Sequence, residues 1–167
     1  MIPFSELVIT QSSTIRELRN LVRDINSLKI IPCKAIQGAL LTGSVARGDA
    51  RIGPYGIMID ITVVVENYSD IDLNEVFGCD TDPNIPYHCV NIRDNIGLAI
   101  ELLDIKNLFN IRNLPESVAF AKNESIILDD KTGVIQKFKD TCFHITDEQI
   151  KNRSLQNYFR YCYLVGP

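Results

Sequence analysis

Thr42-Gly43-Ser44-Val45-Ala46-Arg47-Gly48, followed after a loop by Ile57-Met58-Ile59-Asp60-Ile61-Thr62-Val63-Val64-Val65, is the stretch that decides the fold of this chain. The segment Ala35 to Leu41 reads as a buried strand that closes at Thr42-Gly43-Ser44. Val45 to Ala50 reads as the first turn or two of a helix, and Ile57 to Val65 as a β-branched strand carrying one acid. A Gly-Ser turn offers backbone N–H groups and a hydroxyl to anions. A carboxylate on a rigid strand offers oxygen to a hard cation. Together these groups suit a nucleoside triphosphate and its metal ion.

Outward from this stretch, the pattern alternates helices and strands. Ser12-Ser13-Thr14 precedes Ile15, Leu18, Leu21, Val22, Ile25 and Leu28, the three-four spacing of an amphipathic helix with a hydroxyl cap, broken at Pro32. Arg51 to Gly56, with two glycines and Pro54, is expected to be loop. Asp72 to Phe77 and Val118 to Lys122 suggest short helices. Tyr87 to Arg93 and Ile96 to Ile105 form a hairpin pattern across Asp94-Asn95, and Asp104 is placed to cap a helix through Leu108 and Ile111. Ser125 to Leu128 reads as a strand ended by Asp129-Asp130-Lys131-Thr132-Gly133, with a helix after Val134. Thr146-Asp147-Glu148-Gln149 resembles a capping box, and the following segment carries the aromatics Tyr158, Phe159, Tyr161 and Tyr163. The expected fold is α/β (α+β), a mixed twisted sheet of about five strands with helices packed on one face. Residues 1–140 form the main domain. Residues 141–167 form a C-terminal helix that begins a helical second domain, contacts a second copy or meets a missing helical partner.

The bulk numbers fit that plan. At 167 residues the chain makes one domain with a small appendage. With 46% hydrophobic residues there is material for a core, and a formal charge of −4 argues against an extended nucleic-acid surface. Met1-Ile2-Pro3-Phe4-Ser5-Glu6 lacks the basic start of a secretory signal, and no apolar run approaches a membrane span. The five cysteines are scattered, with no close pair, as expected for reduced thiols in a cytoplasmic protein.

Few residues stand out as chemical. Strand alternation puts Met58, Asp60, Thr62 and Val64 on one face. In Leu98-Ala99-Ile100-Glu101-Leu102-Leu103, Glu101 is an acid among apolar neighbours. Such a carboxylate is paired, metal-bound or pushed toward its neutral form. If the two strands are neighbours, Asp60 and Glu101 meet above the Gly43-Ser44 turn. The other reading of Glu101 is a structural acid paired with Arg93 or a lysine. Asp49 reads as a solvated loop acid, and His88 with Cys79 and Cys89 has no recognisable zinc spacing.

The order of these elements resembles the nucleotidyltransferase superfamily (the DNA polymerase β-like fold), and within it the small bacterial adenylyltransferase-type branch. The family pattern is a strand, Gly-Ser, commonly Ala-Arg-Gly shortly after, a loop, then Asp-x-Asp on the next strand. Thr42 to Gly48 matches the first part closely. Against the second part, Asp60 falls on the second acid and Met58 on the first. Glu101 is the candidate for the third acid, and Ile127 to Gly133 looks like the strand and turn after the catalytic core. The resemblance covers roughly Thr14 to Phe138.

What the resemblance implies is transfer of AMP from ATP to a hydroxyl acceptor on a small molecule or protein, with Mg²⁺ assistance. Gly43, Ser44 and Arg47 would bind the nucleotide's phosphates. Asp60 and Glu101 would be catalytic and would hold the metal. Met58 departs from the pattern, because a thioether does not replace a carboxylate for Mg²⁺. The alternative it favours is a degenerate module of the same fold, binding nucleotide or a partner protein without turnover.

Overall fold

A computed structural model describes residues 8–9, 12–23, 34–52, 56–72, 87–93, 95–110, 122–141, 146–148, 150–151 and 154–155. The strands are β1 (Val8–Ile9), β2 (Ile36–Thr42), β3 (Arg51–Ile52), β4 (Ile57–Val65), β5 (Tyr87–Arg93), β6 (Ile96–Asp104) and β7 (Ile126–Asp130). The helices are α1 (Ser12–Leu21), α2 (Gly43–Arg47), α3 (Ile105–Leu108) and α4 (Val134–Asp140). The main sheet runs β5-β6-β4-β2-β7, and β1 pairs with β3 in a separate two-stranded ribbon. Within the main sheet β4 and β6 are parallel and the other pairs antiparallel, so the sheet is mixed.

The burial of β4 records where its two faces are covered. Ile57, Ile59, Ile61, Val63 and Val65 are all buried on one face. On the other, Met58 is 38% exposed and Asp60 is half-buried, while Thr62 and Val64 are buried. The strand therefore reads as one-sided at its start and two-sided at its end.

Each face has its own core. Ile15, Leu18 and Val22 of the α1 segment, with Val45 and Ala46 of α2, pack on the odd-numbered residues of β4 and on Leu98, Ile100 and Leu102 of β6. Leu108 of α3 and Val134, Ile135 and Phe138 of α4 pack on Leu40, Val64 and Leu103 across the sheet. The α/β class with a mixed sheet is as expected, but the helices lie on both faces rather than one. The reason is that β2, β4 and β6 carry buried apolar residues on both sides at their packed end, and each side needs a cover. Gly38 makes the close approach of α4 possible: a Cβ there would lie 2.3 Å from Ile135 Cγ1.

Smaller expectations also change. Arg51–Ile52 is a short strand against Val8 and Ile9 rather than loop. Asp104 sits at the N-cap of α3 but makes no side-chain cap bond. Its carboxylate instead accepts the Tyr68 backbone N–H and pairs with Lys106 Nζ at 3.1 Å. The cap of α4 comes from Asp130, whose two carboxylate oxygens accept the N–H groups of Ile135 and Gln136 at 3.0 and 2.9 Å. The described residues of the C-terminal segment are helical from Asp147, with Ile150 N–H donating to Thr146 O. The aromatics Tyr158 to Tyr163, and the short helices suggested after Asp72 and from Val118, lie outside the described residues. No described helix is long and apolar enough to cross a membrane.

Candidate functional site

The turn at Gly43 and the acid at Asp60 are built against one another. Thr42 and Asp60 are register partners on β2 and β4, and the Thr42 hydroxyl donates to the Asp60 carbonyl at 3.3 Å. The next residue, Gly43, opens α2 with φ +65, in the left-handed region. A Cβ at Gly43 would fall 2.0 Å from Asp60 Oδ2 and 2.7 Å from Cγ. Only glycine lets the chain leave β2 at that angle with the carboxylate resting against its Cα.

The neighbouring strand supplies the second acid. In the parallel β4–β6 pair, Asp60 is level with Ala99 and Thr62 with Glu101. Asp60 and Glu101 thus share a face on adjacent strands, displaced by one repeat of the pleat. Glu101 is 4% exposed, and the Thr62 hydroxyl, 1% exposed, donates toward its Oε2 at 3.5 Å. Tyr87 of β5 is the register partner of Glu101 on its other side. Glu101 stands between the packed end of this face, with Leu103 and Val64, and the more open end, with Asp60 and Met58.

Ser44 is half-buried, and its carbonyl is occupied by the chain itself. Gly48 N–H and Asp49 N–H donate to Ser44 O at 2.9 and 3.0 Å, closing α2 at a left-handed Gly48. Arg47, expected beside the phosphates, lies in the last turn of α2 with its guanidinium among acids. Its Nε is 3.2 Å from an Asp49 oxygen and 3.9 Å from Glu124 Oε2. Asp49 is exposed, as a solvated loop acid should be, but it is tied to Arg47 rather than free.

Met58 occupies the open end, level with Gly97 of β6, and no carboxylate stands in its place. Among the described residues no three His, Cys, Asp or Glu side chains gather in a metal-holding group. The donors present are two carboxylates and the Thr62 hydroxyl. Mg²⁺ is often held by one or two protein carboxylates with phosphates and water completing its shell. Among the described residues, Asp60, Thr62 and Glu101 are thus oxygen donors of the kind a hard cation takes.

One contributor has no signal in the sequence patterns. Arg19, on the polar side of α1, donates from Nε to Val45 O at 3.0 Å and from Nη2 to Ala46 O at 2.6 Å. The spacing of 26 and 27 residues hides it from any local motif. Compared with known proteins, the chain matches no family model and no curated protein.

Proposed function

We propose that the chain binds a Mg²⁺–nucleoside triphosphate, ATP favoured, at the Gly43–Asp60–Glu101 face, and transfers its nucleotidyl group to a hydroxyl acceptor. The observation that carries this reading is the left-handed Gly43 seated on the Asp60 carboxylate, with Glu101 on the same face of the adjacent strand. It joins a turn rich in N–H and hydroxyl donors to two carboxylates, which is the donor set that a metal-bound triphosphate needs.

In this reading the Gly43–Ser44 backbone and the Ser44 hydroxyl take the β- and γ-phosphate oxygens. Asp60 and Glu101 would hold the ion, which would supply positive charge to offset that of the phosphates. The acceptor oxygen forms a bond to the α-phosphorus while the bond from that phosphorus to the bridging oxygen breaks, and pyrophosphate leaves. The acceptor's proton passes to the Glu101 carboxylate or to water. Arg47 would have to leave Asp49 to reach phosphate, an exchange of one exposed ion pair for another.

Met58 favours a second reading, a module that binds nucleotide without turnover. It stands exposed where the family pattern has its first acid. Thermal unfolding with and without Mg²⁺ and each of the four triphosphates tests binding. Saturation at about 100 times Kd should add roughly 2.7 kcal/mol, and Asp60→Ala should remove the Mg²⁺-dependent part. No shift with any triphosphate removes both readings. Pyrophosphate release then separates them: release by the wild-type chain, lost in Glu101→Ala, supports transfer. Release that appears only in Met58→Asp supports the non-catalytic module.

A further inference from the structure

Helix α2 has five residues, too few to persist without outside support. Its first residue carries the turn against Asp60, and its last turn leaves carbonyls to be satisfied. Ser44 O is taken by Gly48 and Asp49 N–H. The chain turns away at Gly48, so Val45 O and Ala46 O have no following helical turn to donate to them. The Arg19 guanidinium meets both, and its Nη2 also lies 3.5 Å from where a Cβ on Gly48 would stand. A planar cation with donors in fixed directions suits two adjacent carbonyls, and its charge is favourable at a helix C-terminus. Below it, Leu18 of α1 and Val45 of α2 are both buried in the same core, so α1 holds α2 by apolar and polar contacts together.

We infer that Arg19 is a positioning residue for the Gly43–Ser44 turn, so that the affinity for Mg²⁺–ATP depends on a side chain that does not touch the ligand. This rests on the nucleotide-binding reading above. Arg19→Lys keeps the charge and loses the fork; Arg19→Gln keeps a donor and loses the charge. Asp130→Ala, which uncaps α4 at the packed end of the Asp60–Glu101 face, serves as a destabilised comparison that removes none of the Arg19 hydrogen bonds to α2.

Calorimetric titration with Mg²⁺–ATP and amide hydrogen exchange at Gly48 and Asp49 are the measurements. Arg19→Lys and Arg19→Gln should each weaken Mg²⁺–ATP binding by about tenfold or more, because small misplacements of binding groups are costly. Exchange at Gly48 and Asp49 should quicken in both. Asp130→Ala should leave affinity and those two amides as in the wild type. Wild-type binding with unchanged affinity in both Arg19 variants overturns the role of Arg19 alone. Equal quickening at Gly48 and Asp49 in Asp130→Ala also overturns it, since general destabilisation would then explain the effect. Absence of binding by the wild-type chain overturns the nucleotide reading and this inference with it. Should neither Arg19 variant fold, wild-type exchange decides: Mg²⁺–ATP must slow Gly48 and Asp49, and no slowing overturns the proposal.

Discussion

Gly43→Ala tests the contact on which the site is built. The new Cβ would stand 2.0 Å from Asp60 Oδ2, 2.7 Å from Cγ and 3.0 Å from Cβ. Two costs follow. At φ +65 an alanine is held in the left-handed region, at about 1–2 kcal/mol. Relieving the overlap requires the Asp60 carboxylate to rotate away or β4 to shift from β2, an overpacking cost of about 1–3 kcal/mol. The sum, about 2–5 kcal/mol, is a large part of the roughly 5–15 kcal/mol that holds a domain folded. A loss of about 3 kcal/mol would lower Tm by roughly 6–12 °C in a chain of this size. Urea unfolding of wild type, Gly43→Ala, Asp60→Ala and the double variant separates the two costs. In the Asp60→Ala background the overlaps with Oδ2 and Cγ vanish, while the 3.0 Å approach to Cβ and the backbone cost remain. Gly43→Ala should therefore be cheaper there by about 1–3 kcal/mol. An equal cost of Gly43→Ala in both backgrounds would refute the placement of Asp60 against the turn.

Other sites yield separate expectations. Gly38→Ala drives a Cβ to 2.3 Å from Ile135 Cγ1 and should cost about 1–3 kcal/mol in urea unfolding; Ile135→Ala, which removes that atom, should make the second change cheaper, and additive costs would contradict the packing described. Asp130→Ala removes both acceptors at the start of α4 and should cost about 1–2 kcal/mol, with Asp130→Asn costing less; an unchanged urea midpoint in Asp130→Ala would refute the cap. Lys139 makes hydrogen bonds to Lys122 O, Ser125 O and Ser125 Oγ, and burial, then the nearby Lys122 charge, lowers its pKa below the ordinary lysine value. Between the lowered and the ordinary value the unfolded chain binds more protons, so the contribution of Lys139 to stability rises with pH. The gap in urea midpoint between wild type and Lys139→Met should shift in favour of the wild type on passing through that alkaline window, by a small amount because solvent screens the group; a gap that does not move would show that Lys139 titrates as it does in the unfolded chain.

The sequence by itself determined the elements and the face they share. A β-branched run with one acid placed β4, an apolar run interrupted by Glu101 placed β6, and a glycine-serine pair after an apolar run marked the turn into α2. Strand alternation alone put Met58, Asp60, Thr62 and Val64 on one side, because the side-chain period of an extended chain is fixed by its geometry. Tertiary structure decided what lies next to what. The parallel pairing of β4 with β6 sets Glu101 level with Thr62, one repeat of the pleat along from Asp60 on the same face, and pairing depends on strand order, which no local pattern encodes. The cover by α3 and α4 at one end of that face, with Met58 left exposed at the other, follows from where distant helices dock. Arg47 turned to Asp49 and Glu124, and Arg19 reached the carbonyls of α2, because charged side chains are long and take whichever partner the fold brings within reach. A helix or strand is written in its own residues. A site assembled from β2, β4, β6 and α1 depends on contacts that arise only after the chain has closed on itself.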